Sequence, residues 1–167
     1  MMELRQMSTA FLFNGSKVLM MKKESSKITD TMFWSGLGGH LEPEELNFPK
    51  RACIREIFEE SGILEEEIED LKLKYILIRI KDDEIRQQFV YFGGVNSSEF
   101  INSAEGELHW IELEEILELK LSKIVNFMVN HYLENPSKNE LTIGTITLND
   151  EENPEIQWSE LKDPKIF

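Results

Sequence analysis

Arg55-Glu56-Ile57-Phe58-Glu59-Glu60-Ser61-Gly62-Ile63 is the stretch on which the reading of this chain turns. It ends a helical segment that opens at Pro49, a residue suited to a first helical turn, and closes at Gly62, a natural left-handed C-terminal cap. At about 100° per residue, Glu59 lies about 60° to one side of Glu56 and Glu60 about 40° to the other, so three carboxylates share one helix face. Ile54, Ile57, Phe58 and Ser61 fall on the other side, which is expected to face the core. Carboxylates at i, i+3 and i+4 repel by a few tenths of a kcal/mol per pair. No basic residue in the following turn offsets them. A solvated acidic face is one explanation. An oxygen shell for a hard divalent cation is the other, since Mg²⁺ is commonly shared between a few carboxylates, waters and substrate phosphates.

Upstream of this helix lies a glycine-dense run, Phe33-Trp34-Ser35-Gly36-Leu37-Gly38-Gly39-His40-Leu41-Glu42-Pro43. Before it, residues 4–13 and 17–23 read as strands joined by a hairpin at Asn14-Gly15, and the polar residues 24–32 read as a loop. Beyond the helix, residues 70–81 and 85–95 form a second strand pair around Lys81-Asp82-Asp83-Glu84. Residues 111–120 are expected to form a short helix and 121–134 a longer one, with Leu121, Ile124, Val125, Phe127, Met128 and Tyr132 as its apolar stripe. Strands at 141–148 and 155–159 give a C-terminal strand pair within 141–161. No repeat or linker divides the chain. Strands before and between helices predict one mixed α/β domain over residues 1–167.

The charge narrows the partners. Eighteen Lys and Arg against 32 Asp and Glu leave a formal charge of −14, which argues against polymeric nucleic acid and anionic membranes. A phosphate bound here needs a local neutraliser. The single cysteine, Cys53, excludes an intrachain disulfide and sits where a small buried hydrophobe belongs, with a nucleophile as the alternative. No apolar run approaches the ~18–20 residues of a spanning helix. Met1 to Gln6 lacks the basic start and apolar run of a signal peptide, so the chain reads as cytoplasmic.

Taken with Gly39 and Glu45, the helical segment resembles the Nudix box, G-x5-E-x7-R-E-U-x-E-E-x-G-U, where U is aliphatic. Every fixed position from Arg55 to Ile63 matches. One departure stands out: nine residues, Leu46 to Ile54, separate Glu45 from Arg55 where the family pattern has seven. The two extra residues are placed at Asn47-Phe48, ahead of Pro49, which leaves Glu45, Glu44 and Glu42 as competing partners for Arg55. The resemblance implies an α/β/α sandwich with a mixed β-sheet. It implies hydrolysis of a nucleoside diphosphate linked to another group X, with Mg²⁺ or Mn²⁺ as cofactor. Carried over by position, Glu56, Glu59 and Glu60 are the metal ligands with the Gly39 carbonyl, and Arg55 orients the carboxylates. Which carboxylate takes the proton varies within the family, so Glu59 and Glu60 both stand as catalytic candidates. The stretch Glu105-Gly106-Glu107-Leu108-His109-Trp110 is similar to the family's acidic loop and the Trp-bearing strand after it. Glu105 is the first candidate for a further ligand or base and Glu107 the second, with a solvated turn carboxylate as the alternative.

For substrate, Trp34 to Gly39 resembles the W-x-G-F-G-G segment of the animal oxidised-purine nucleoside triphosphatases, and Val18 to Lys23 their second strand. On that resemblance Thr9, Lys23, Trp34, Ser35 and Gly38 contact the nucleotide, and an 8-oxo-dGTP-type triphosphate is cleaved to monophosphate and pyrophosphate. The likeness stops at Leu119-Lys120-Leu121-Ser122-Lys123, which lacks the acid pair those enzymes use to read the base. Arg79 stands where some ADP-ribose and dinucleoside polyphosphate branches carry Pro or Tyr. Hydrolysis of ADP-ribose, another nucleotide sugar or a dinucleotide is the alternative, and a non-catalytic nucleotide-binding module a further one. The expected partner is a small nucleotide, acting on a monomer or homodimer.

Overall fold

Strand β1 (Glu3–Asn14) organises the sheet, because three other strands pair with it. It runs parallel to β6 (Glu84–Val95) from Glu3 opposite Glu84 to Phe13 opposite Gly94. Against its other edge, Met7 to Ala10 pair with β4 (Leu37–His40), while only Phe13 and Asn14 pair with β2 (Lys17–Glu24). The sheet therefore forks: β2 continues with β3 (Met32–Ser35) and β7 (Glu107–Glu112), away from β4. On the far side β6 pairs with β5 (Ile68–Lys81), then β8 (Thr142–Leu148) and β9 (Pro154–Glu160). The computed structural model describes residues 1–24 and 32–166.

Period-two alternation separates two cores. Ala10 and Leu12 pack with Cys53 and Ile57 of helix α1 (Pro49–Ser61), whereas Phe11 packs with Ile124, Val125 and Met128 of helix α2 (Lys123–Glu134). A helix on each face of a mixed sheet is the α/β/α sandwich expected. Gly62 closes α1 in the left-handed region, φ 71°, its N–H donating to the Phe58 carbonyl. Among the described residues no helix is long and apolar enough to cross a membrane.

Several boundaries differ from the sequence reading. The first hairpin turns on Gly15-Ser16, with Asn14 still paired to Lys17 and Gly15 taking the positive φ of 61°. Of the loop expected at 24–32, residues 25–31 lie outside the described set, while Glu24 and Met32 belong to strands. The glycine-dense run is largely strand, because its glycines allow close backbone pairing with β1. Ile111 and Glu112 complete β7 and leave only a 3₁₀ turn, Leu113–Glu118, of the short helix. Helix α2 begins at Lys123 because the Ser122 hydroxyl caps it, accepting from the Val125 N–H. Leu121 instead bridges Trp34. Trp158 is partly buried against Tyr75 and His131.

Candidate active site

Helix α1 does not offer its carboxylates evenly to solvent. Its buried residues are Ala52, Cys53, Ile57, Glu60 and Ser61, an arc that takes in Glu60 and leaves Phe58 exposed on the opposite side. Phe58 was expected in the core. Its angular position, about 160° from Glu56, places it opposite the arc that the strands cover. Glu60 is only 2% exposed, and an acid so placed must be hydrogen-bonded. Its Oε2 accepts from the Gly38 N–H at 2.8 Å, and Lys23 Nζ stands 3.4 Å from Oε1. Burial still pushes its carboxyl above the usual carboxylate range.

Glu56, part-buried, is raised for the same reason and lies against Gly39. A Cβ at Gly39 would fall 2.5 Å from Glu56 Oε1, so a side chain there would displace the carboxylate. Arg55 supplies the compensating charge from the N-terminal side of the triad. Its Nε and Nη2 hold Glu45 in a two-point bond, both at 2.8 Å. Nη1 reaches Glu56 at 2.8 Å and Glu59 at 3.1 Å, and Nη2 also donates to the His40 carbonyl at 3.2 Å. The two extra residues before Pro49 therefore do not disturb the pairing, and Glu45 takes the contact in preference to Glu44 or Glu42. The Arg55 guanidinium holds the Glu45 carboxyl below the usual range. Cys53 is buried and its thiol is pushed up to about 12, which removes it as a nucleophile.

A cavity of about 690 Å³ opens in the fork of the sheet. Thr9, Lys23, Ser35, Gly38, Gly39 and Glu105 all line it, so residues from four strands and a loop meet in one space. Thr9 Oγ1 accepts from Gln88 Nε2 at 2.7 Å, and the Ser35 hydroxyl is buried without a partner among the described residues. Glu107 points elsewhere, its carboxylate 3.4 Å from His109. Trp34 is the expected contact that does not join them. Phe33 and Ser35 line the cavity, and Trp34, one residue out of phase, lies edge-on to His109 at 5.3 Å. Phe33, Gln88, Arg79 and Arg86 line the cavity without having been foreseen. Strand alternation would have preferred Phe33 to Trp34, whereas nothing local marks the other three.

Among the described residues no three His, Cys, Asp or Glu side chains are already converged on one point. Arg55 instead engages Glu56 and Glu59, and Lys23 engages Glu60. The donor set nevertheless fits a hard divalent ion: it is all oxygen, and the missing Gly39 side chain leaves space beside Glu56.

The fold recurs in solved structures. The crystal structure of a mutator MutT protein from Bacillus halodurans matches with TM-score 0.69 and 20% identity, over 92% of this chain and 97% of that one. A MutT protein from Methanosarcina mazei Go1 matches at 0.68 and 22%, over 82% and 98%. A C. elegans Ap4A hydrolase matches at 0.64 and 17%, over 78% and 96%. No curated protein sequence matches significantly. The NUDIX domain model matches residues 4–133, more than three-quarters of the chain, with the carboxylate helix and the cavity strands inside the match. The chain belongs to the NUDIX family and is, by that membership, a Nudix hydrolase.

Proposed function

We propose that the protein is a Mg²⁺-dependent pyrophosphohydrolase that cleaves a phosphoanhydride in a nucleoside diphosphate linked to X, with a nucleoside triphosphate as substrate and monophosphate and pyrophosphate as products. Nudix hydrolases in general use divalent metals and act on small nucleotides. Glu56, Glu59 and Glu60 with the Gly39 carbonyl would hold the ion, joined by Glu105 from the cavity wall. When bound, a hard divalent ion neutralises phosphate oxygens and lowers the pKa of an attacking water.

The protein's own groups do the rest. The carrying observation is Glu60, a buried carboxylate at the cavity edge whose burial raises its proton affinity while Gly38 and Lys23 orient it. A carboxylate so placed can hold a metal or accept a proton from water. Arg55 keeps Glu56 and Glu59 anchored beside it, and its role is positioning, since its donors are taken up by Glu45, Glu56, Glu59 and the His40 carbonyl. Lys23 neutralises phosphate at the same edge. Thr9, Ser35 and Phe33 line the space left for the nucleoside. Turnover on canonical and oxidised dNTPs, ADP-ribose, nucleotide sugars and dinucleoside polyphosphates, with and without Mg²⁺ or Mn²⁺, tests this reading. Metal-dependent release of pyrophosphate from a triphosphate is expected. No metal-dependent product from any of them overturns it in favour of a binding module.

A further inference from the structure

In a chain of net charge −14, the described residues that line the cavity include five cations, Lys23, Arg79, Lys81, Arg86 and Lys120, and one acid, Glu105. Lys23 is engaged by Glu60. Of the others, Arg79, Lys81 and Arg86 lie on the β5–β6 pair, while Lys120 adjoins β3, its carbonyl accepting from the Trp34 N–H. Arg79 and Arg86 stand directly across the β5–β6 pair, where like charges repel. Glu84 offsets one of them, but the same carboxylate holds both Arg86 at 2.9 Å and Arg5 at 2.7 Å. Arg79 has no hydrogen bond or ion pair among the described residues, although it is half-buried. Burial and the neighbouring Arg86 push its pKa down, so its charge is held at a cost. A guanidinium carries five donors, and leaving them desolvated and unfilled is unfavourable.

We propose that Arg79 and Arg86 form a second phosphate subsite, so that the substrate carries a phosphate beyond the two joined by the cleaved linkage. This rests on the hydrolase reading and narrows it. A planar guanidinium pair matches phosphate oxygens in two-point geometry. A neutral base would not need uncompensated charge, and Gln88 and Thr9 already offer neutral polar groups. The register gives the spacing: Ser8 faces Gly39 and Arg5 faces Arg86, three residues apart on β1, or about 10 Å along the strand. The phosphate that Arg79 and Arg86 meet is either the end of a longer phosphate chain or a monoester on the far side of the nucleotide.

Two substrate pairs separate those sources: GTP with GDP, and ADP-ribose 2′-phosphate with ADP-ribose. The wild type is expected to favour the phosphate-rich member of one pair by about tenfold or more in kcat/KM, and Arg79→Gln to cut that ratio about tenfold, with Arg79→Lys retaining part of it. Ratios near one in both pairs, or equal losses on both members in Arg79→Gln, overturn the subsite. A readout without turnover keeps this apart from failure of the hydrolase reading. Inorganic tripolyphosphate without divalent metal should raise the melting temperature of the wild type more than that of Arg79→Gln, even if no substrate is cleaved. No rise in the wild type overturns the subsite. Without ligand, Arg79→Gln should melt at or above the wild-type temperature; a clear fall would make Arg79 a structural residue instead.

Discussion

Arg55 and Arg79 are the same side chain in opposite conditions. Arg55 gives hydrogen bonds to three carboxylates and a carbonyl, on elements separated by a loop of irregular length. Arg79, also half-buried, gives none among the described residues and faces another arginine. The first is architecture: its charge is consumed in holding Glu45, Glu56 and Glu59. The second keeps its charge without a partner among the described residues, set by the register of two strands. A protein this acidic neutralises phosphate only where it concentrates cations, and the fork of the sheet is where they gather. Net charge therefore describes the outer surface better than the site.

The largest expected effect falls on Glu60. Changing a partner behind a metal ligand costs about 10–100-fold in activity, so, on its proposed role as a ligand, changing Glu60 should exceed about 100-fold. Glu60→Gln keeps an oxygen that can accept from Gly38 N–H, so the fold should survive while turnover at saturating Mg²⁺ drops by at least that factor. Near-full turnover in a folded variant would remove Glu60 from the chemistry.

Arg55→Ala comes next and tests the comparison directly. It leaves Glu45, 7% exposed, without its partner. Breaking a buried pair of this kind costs about 3 kcal/mol, and denaturant unfolding should show it. Arg79→Gln should move stability in the other direction or not at all. If both variants lost stability equally, the distinction between a satisfied and a waiting arginine would fail.

How much of this was legible in the sequence follows from where each interaction is encoded. Gly39, Glu56, Glu59 and Glu60 could be read because their spacing lies on one helix and one adjoining strand, so local periodicity carries their geometry. The Glu45–Arg55 contact could not be settled, because a turn of unfamiliar length lies between them and only the folded loop shows where Glu45 ends up. Trp34 was carried over as a family contact without applying strand alternation, which turns Phe33 and Ser35, and not Trp34, towards the cavity. Phe58 was misassigned because the face opposite the carboxylates was taken as the core, and the strands above α1 cover Glu60 in its place. Arg79 stood out only as a departure from a family position, and Arg86 carries no local signal. Their meaning arises from a cross-strand register and from a fork that exists only once β4 displaces β2 along β1.

Acid titration sharpens the contrast within the Arg55 network. Glu45 has its pKa lowered from 4.5 by Arg55, so the folded protein binds that proton less readily than the unfolded chain. Its stabilising contribution is present above that ordinary value and is lost as pH falls through the depressed one. Glu45→Gln should therefore be least stable relative to wild type near neutrality, and the gap should close below pH 4.5 in urea unfolding. A gap independent of pH would mean that Glu45 acts through packing rather than charge.

The smallest effect is expected at His131, where burial gives a third outcome for a titratable group: it is neither paired like Arg55 nor held charged like Arg79, but kept neutral. Its Nδ1 lies 2.9 Å from the Tyr75 hydroxyl, and its ring packs at 4.3 Å on Trp158 of β9. Burial lowers its pKa from 6.5, with Lys138 and Lys74 adding to the shift and Glu134 opposing it. Protonation is thus easier in the unfolded chain, and stability present above pH 6.5 is lost as pH falls through the lowered value. His131→Phe keeps an aromatic ring against Trp158 but cannot take up the proton. Its unfolding free energy should change less between pH 7 and pH 5 than that of the wild type. Identical slopes would show that the C-terminal strand pair, β8 and β9, is held by apolar contact alone, with His131 contributing no charge-dependent term.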